Sequence, residues 1–177
     1  MCEKHSALII GAGVAGLQAS IDLANVGFDV YLVEQKPCLG GHTPLLHKVF
    51  PTLENAAELM TPLIQSVAKH PKVKIVPYSD IERVSGSIGD FHINTVRKVR
   101  CVNEERCTLC SECVKACPVD VPKEYEMGLG TRKAIYLPLP FPFPQKYLID
   151  KNNCLHFKDG SCTACRDACP EDAVNYE

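Results

Sequence analysis

The chain has 177 residues, 46% of them hydrophobic, and a formal net charge of -2. That is length for one large domain or two small ones and enough apolar residue for a packed core. The near-neutral balance excludes a general attraction to nucleic acid or anionic lipid, and no apolar run approaches the ~20 residues a membrane-spanning helix needs. The charge is uneven: from Cys101 onward 9 Lys+Arg stand against 12 Asp+Glu, leaving a net of +1 for the first hundred residues.

Near the N-terminus an apolar stretch, Ala7 to Ile10, runs into Gly11-Ala-Gly13-Val-Ala-Gly16. Gly11 and Gly13 interrupt it where a signal peptide would still be apolar, so a cytoplasmic location is expected. An amphipathic stretch through Leu17, Ile21, Leu23 and Val26 follows and stops at Gly27, as a helix would. FDVYLVE then reads as a buried strand ending in Glu34. Strand, glycine turn, helix, strand and acidic residue in that order form the dinucleotide-binding arrangement. Gly11 permits the tight turn, Gly13 lets the backbone approach a pyrophosphate at the helix N-terminus, and Gly16 allows close helix–strand packing. Glu34 is positioned to accept ribose hydroxyls. The following loop, QKPCLGGHT, carries a glycine pair, Gly40-Gly41, which favours FAD over NAD. Gln35, Gly40, Gly41 and His42 therefore join the expected cofactor-binding set, while Cys38 is left without a role.

Farther along, Thr52 is expected to cap a helix through Glu58 and Leu63 to about Lys69, bent by Pro62. Val73–Val76 reads as a strand. Ile81–Val84 and Phe91–Val96 alternate around Ser85–Gly89 as a hairpin would. The histidines show no metal-ligand spacing among themselves.

Eleven cysteines in a cytoplasmic chain point to metal ligation rather than disulfides. From Cys107 the sequence reads CTLCSECVKACP, the C-x2-C-x2-C-x3-C-P run of bacterial ferredoxins. Three thiolates on a tight loop reach three irons of one cube, while the fourth faces a neighbouring cluster. A second run, Cys154 and then Cys162, Cys165 and Cys169-Pro170, repeats the pattern after a wider first gap. Crosswise ligation predicts two 4Fe-4S clusters: one on Cys107, Cys110, Cys113 and Cys169, the other on Cys154, Cys162, Cys165 and Cys117. Structural zinc would more usually use two separated C-x2-C knuckles, so the cysteine pattern fits it poorly. Between the runs, Pro138, Pro140, Pro142 and Pro144 alternate with Leu and Phe, which forbids helix and favours an extended, polyproline-like strap over the clusters, or a docking edge for a partner.

The expected architecture is α/β followed by α+β: a partial Rossmann-like FAD-binding domain over residues 1–99 and a two-cluster bacterial ferredoxin-like domain over 100–177. With both halves in hand, the chain resembles the N-terminal part of the heterodisulfide reductase A family (HdrA), a family of flavin and iron–sulfur electron-transfer subunits. The resemblance runs from GAGVAGLQASIDLANVGFDVYLVEQ through GGH and VNEERCTLCSECVKACPVDVP to GLGTRKAIYLP and the second cysteine run. It implies an FAD docked on Gly11, Gly13, Gly16 and Glu34 and exchanging electrons with two clusters. It also implies partner subunits of a heterodisulfide reductase-like or quinone-interacting complex, fed by hydrogenase, formate or ferredoxin modules. Two departures from the family pattern stand out. Asn55 and Glu58 occupy the places of a Cys-x2-Cys pair found in methanogen-type members, so the cluster that pair serves is expected to be absent. The family's flavin fold also continues beyond the ferredoxin-like insert, whereas this chain stops at Glu177, as a fragment, split subunit or truncated chain would. No acid–base or nucleophile constellation is visible, so no catalytic side chain is predicted and substrate chemistry would fall to FAD or a partner. The competing expectation is a non-enzymatic ferredoxin-like carrier that holds no FAD alone.

Overall fold

The computed structural model describes residues 5–139 and 142–176. The chain divides into two compact units, Met1–Lys98 and Val99–Glu177. Among the described residues no helix is long and apolar enough to cross a membrane.

In the first unit, strand β1 (Ser6–Ile10) leads through the glycine turn into helix α1 (Val14–Asn25), and β2 (Asp29–Glu34) follows. α1 buries Leu17, Ser20 and Ala24, three or four residues apart as the helical period requires. It ends as expected, with Val26 closing the last turn and Gly27 at φ +107°. Two short strands, β3 (Lys48–Val49) and β4 (Glu54–Asn55), pair antiparallel before helix α2 (Ala56–Lys69), which buries Met60, Ile64 and Val67. Strand β5 (Val73–Pro77) completes a parallel sheet in the order β1-β2-β5, with Ser6 opposite Asp29 and Val30 opposite Val73. β2 is central, so Val30, Leu32 and Val33 are all buried. That explains its near-continuous apolar run.

Two expectations need correction here. The cap of α2 is Asn55, whose side chain accepts from the Ala57 N–H at 2.9 Å. Thr52 instead donates its hydroxyl to Glu54 in the preceding turn. Both residue types make good caps, and the β3–β4 pairing delays the helix start to the later one. The hairpin is also longer than its alternation suggests. Strands β6 (Ser79–Ser87) and β7 (Asp90–Arg97) pair to the Ser87–Asp90 step, leaving a turn of only Ile88 and Gly89. Ser85, Gly86 and Ser87 are polar turn formers by type, yet the ladder carries them.

The second unit is made of short pieces. Helix α3 (Glu112–Ala116) precedes a small antiparallel pair, β8 (Asp120–Pro122) with β9 (Thr131–Lys133). β10 (Ile135–Tyr136) pairs with β11 (Leu148–Ile149), and helices α4 (Leu155–Asp159) and α5 (Ala164–Asp167) follow. The two ends of the unit meet: Val102 bridges Val174, and the Asn103 N–H donates to the Ala173 carbonyl at 2.7 Å. The core consists of Val102, Ile135, Tyr147, Ile149 and Val174 interleaved with cysteines. A unit this small has little apolar core of its own, a situation that cross-links or metals commonly relieve.

The segment between the cysteine runs is not one extended strap. It doubles back twice, as β8–β9 and β10–β11, and its alternating prolines, Pro138 to Pro144, fall in the connection between β10 and β11, where Pro140 and Phe141 lie outside the described residues. Its apolar residues Ala134, Ile135, Tyr147, Leu148 and Ile149 are buried. Arg132 ties the two ladders together: its guanidinium pairs with Glu124 and with Asp150 (2.9 Å) and lies 3.7 Å from the Tyr136 ring centroid.

Candidate functional site

The glycine turn of the first unit is shaped by contacts its sequence pattern anticipates. A Cβ on Gly16 would stand 1.9 Å from the Gly11 carbonyl oxygen, so only glycine lets α1 start this close to β1. At Gly13 an added Cβ would meet nothing within 4 Å. Its glycine is required by no protein neighbour, and its bare backbone faces open space at the start of α1, where no side chain caps the helix. Such an N-terminus is a ready anion site when a phosphate arrives.

Glu34 closes β2 and is buried. One carboxylate oxygen accepts from the Ala12 N–H at 2.6 Å and the other from the Lys36 N–H at 2.7 Å. The side chain expected to reach a ribose thus also braces the glycine turn from behind. Each oxygen keeps a further acceptor lone pair. The Gly40-Gly41 loop joins the same place: the Gly40 N–H donates to the Ala12 carbonyl at 2.7 Å, and an added Cβ on Gly41 would lie 3.0 Å from the Gly13 Cα. His42 sits at the loop's end with Nε2 3.5 Å from the Lys36 ammonium. A cleft of about 440 Å³ opens beside this turn, lined by Gly11, Glu34 and Gln35 together with Ser79, Asp80 and Ile81. The last three come from β6 and carry no motif, and only their position across the cleft marks them. Asp80 is held below the ordinary carboxylate range, first by its hydrogen bond to Lys98.

In the second unit the eight predicted cysteines fall into two groups. One cavity is lined by Cys107, Cys110, Cys113 and Cys169, with Leu109, Tyr147 and Val174 around them. Another is lined by Cys117, Cys154, Cys162 and Cys165, with Ile135, Ile149 and Tyr176. In each, the Cys-Pro cysteine comes from the opposite run, as crosswise ligation requires. The helices achieve this: α3 carries Cys113 and releases Cys117 at its end, α5 carries Cys165 with Cys169 just beyond, and the two helices touch. All eight are free thiols. Burial, followed by the neighbouring thiols Cys107, Cys165, Cys169 and Cys110, pushes the Cys113 thiol up to about 12. Burial likewise raises Cys165, among Cys154, Cys117 and Cys162. Neutral thiols held together this way give up their protons most readily to a metal-bound state that neutralises their charge.

Among the described residues no three His, Cys, Asp or Glu side chains converge on one metal ion. A cubane does not ask them to, because each thiolate meets its own iron. The donor chemistry and the grouping therefore fit a four-iron cluster in each cavity.

Sequence reasoning passed over several residues in or near these cavities. Cys101 is fully buried and lies within electrostatic reach of Cys154 and Lys151; burial raises its thiol and Lys151 opposes the rise. Tyr147 donates or accepts a 2.8 Å hydrogen bond with the Ser111 hydroxyl, and the Lys146 ammonium donates to the Cys107 carbonyl at 3.0 Å. Tyr176 lies 3.2 Å from the Cys165 sulfur. Isolated aromatic and basic residues give no periodic signal, so nothing short of the fold would have found them.

The chain is 43% identical over 172 residues to the iron–sulfur HdrA protein of the CoB--CoM heterodisulfide reductase of Methanocaldococcus jannaschii, covering 97% of this chain and 25% of that protein. It is 45% identical over 147 residues to the first of the corresponding HdrA proteins of Methanopyrus kandleri, covering 83% of this chain and 22% of that protein. The chain thus spans about a quarter of the length of these curated relatives. The crystal structure of T. acidophilum thioredoxin reductase overlaps 59% of this chain and 43% of its own at 22% identity, with a TM-score of 0.44. Residues 5–115, well over half of the chain, match the pyridine nucleotide-disulphide oxidoreductase family, with its Rossmann-like fold; the chain belongs to that family.

Proposed function

We propose that this chain is the flavin- and iron–sulfur-carrying part of an electron-transfer protein of the HdrA type, with residues 1–99 binding FAD and residues 100–177 forming a ferredoxin-like domain that holds two 4Fe-4S clusters. The observation that carries this reading is the sorting of eight cysteines into two four-thiol cavities, each completed by the Cys-Pro cysteine of the other run. FAD, when bound, exchanges electrons singly or in pairs, and iron–sulfur clusters pass them one at a time.

The chain's own residues supply the binding. The Gly11–Gly16 turn presents bare backbone and a helix start to the pyrophosphate, and Glu34 holds that turn while keeping lone pairs for ribose hydroxyls. Gln35, Gly40, Gly41 and His42 border the same place. Cys107, Cys110, Cys113 and Cys169 hold one cluster; Cys117, Cys154, Cys162 and Cys165 hold the other. Apolar residues of the intervening ladders, including Ile135, Tyr147 and Ile149, keep water from both. The homologues' names place them in heterodisulfide reductase complexes, so other subunits of such a complex are the proposed partners.

The test is anaerobic purification with iron, sulfide and flavin measured on one sample. About eight irons and one FAD per chain are expected. About four irons or fewer would remove the two-cluster reading. A second reading, a ferredoxin-like carrier without flavin, is favoured by the narrow sheet, whose β1 is paired on one side only among the described strands. About eight irons with no FAD would select it.

A further inference from the structure

The two cysteine cavities are alike in thiol count but not in their second layer. Each has one tyrosine in its lining, Tyr147 in the first and Tyr176 in the second. The Tyr147 hydroxyl is engaged with the Ser111 hydroxyl at 2.8 Å. The Tyr176 hydroxyl is 3.2 Å from the Cys165 sulfur.

Tyr176 is also held in place. Its ring stacks on His156 with centroids 3.6 Å apart and planes 15° apart, and meets Phe157 edge-on at 5.9 Å. His156 is itself anchored by Nδ1, 3.0 Å from the carbonyl oxygen of Cys162. The Arg166 guanidinium lies 5.7 Å from the Tyr176 ring centroid. A hydroxyl fixed by two rings and a backbone contact keeps its direction toward one sulfur.

We propose that Tyr176 is a positioning residue for the second cysteine set, donating its hydroxyl hydrogen to the Cys165 thiolate and raising the reduction potential of the cluster held there; in the first set the Cys169 sulfur accepts from the Ala173 backbone N–H at 3.3 Å and the tyrosine hydroxyl is engaged elsewhere. Once Cys165 is a thiolate it can only accept, which makes Tyr176 the donor. A donor to a ligand sulfur draws negative charge away from the cluster, and this stabilises the reduced form, which carries one more electron, over the oxidised form. The two sets thereby differ in the donor that reaches a sulfur, a side-chain hydroxyl at Cys165 and a backbone N–H at Cys169. No bond forms or breaks at Tyr176, and its proton stays on oxygen.

This inference rests on the two-cluster reading above, and one series of measurements separates their failures. Iron and sulfide are counted first on the full chain, on Tyr176→Phe and on Tyr147→Phe; reduction is then followed by EPR in a redox titration. A wild-type chain without about eight irons overturns the two-cluster reading and this inference with it. With iron retained, Tyr176→Phe should move one midpoint to a more negative potential and leave the other in place. It should also abolish an exchangeable-deuteron coupling to that cluster in deuterated buffer. Tyr147→Phe, which removes the hydroxyl at the other cavity, should leave both midpoints unchanged. Unmoved midpoints in Tyr176→Phe, or equal movement of both, would mean that Tyr176 only packs. If Tyr176→Phe loses iron, replacing Tyr176 by 3-fluorotyrosine keeps the ring and makes the hydroxyl a stronger donor. The same midpoint should then rise, and no rise sinks the proposal.

Discussion

The two units build their sites from opposite materials. In Met1–Lys98 the site is backbone: a glycine turn, a helix start and one buried carboxylate that braces them, all within 34 residues of sequence or pressed against them by the Gly40-Gly41 loop. In Val99–Glu177 it is side chain: eight thiols drawn from two runs that are interleaved by a pair of touching helices. A backbone site depends on conformation, which one misplaced methyl group can spoil without removing any functional atom. A side-chain site depends on atoms, and losing one leaves a gap that the neighbours do not fill.

The sharpest way to break that comparison is Cys113→Ser. It removes one thiolate from a buried set, so iron should fall from about eight to about four per chain while flavin stays constant. Loss of all iron would show that the two cavities are one cooperative assembly. Gly13→Val probes the other material: the added side chain enters the open space above the turn and should weaken flavin at least tenfold, about 1.4 kcal/mol, with cluster absorbance unchanged. Should the clusters disappear instead, the units are not independent modules.

Smaller effects sharpen the picture of what holds each unit together. Asn55→Ala removes the side-chain cap of α2 and should lower thermal stability by about 1 kcal/mol, whereas Thr52→Ala should cost distinctly less. Calorimetry of the two variants decides which residue is the cap. In the second unit, burial pushes the Asp150 carboxyl up, but Asn153 and the Arg132 guanidinium outweigh it and hold the group below its ordinary 3.8. A depressed carboxylate stabilises the fold above its unfolded pKa, and that contribution fades as the pH falls through the folded value. The stability of this unit should therefore be flat near neutrality and decline in acid below about pH 4, and Asp150→Asn should flatten the decline. An unchanged acid slope in Asp150→Asn would remove the Arg132 pairing from the account.

How much could be read beforehand differs between the units for the same reason. Gly11, Gly13, Gly16 and Glu34 are legible because a strand, a turn and a helix start are local events, and the glycine spacing follows from one close approach, that of Gly16 to the Gly11 carbonyl. Asn55 was missed because Thr52 and Asn55 are equally good caps by type; the β3–β4 pairing, a longer-range event, chose between them. Ser79, Asp80 and Ile81 reach the cleft only because β6 follows β5 to the same end of the sheet.

By itself the sequence determined the local chemistry: the order of strand, turn and helix, the backbone left bare at Gly13, and the spacing of each cysteine run. It did so because those features need only a few consecutive residues to be in the right conformation. Tertiary structure alone decided which thiols share a cavity in the folded chain, that Glu34 also props the glycine turn, and that Tyr176 rather than Tyr147 has its hydroxyl at a sulfur. Each of these is a meeting of residues far apart along the chain, and a meeting of that kind is specified by packing and not by any pattern of neighbours.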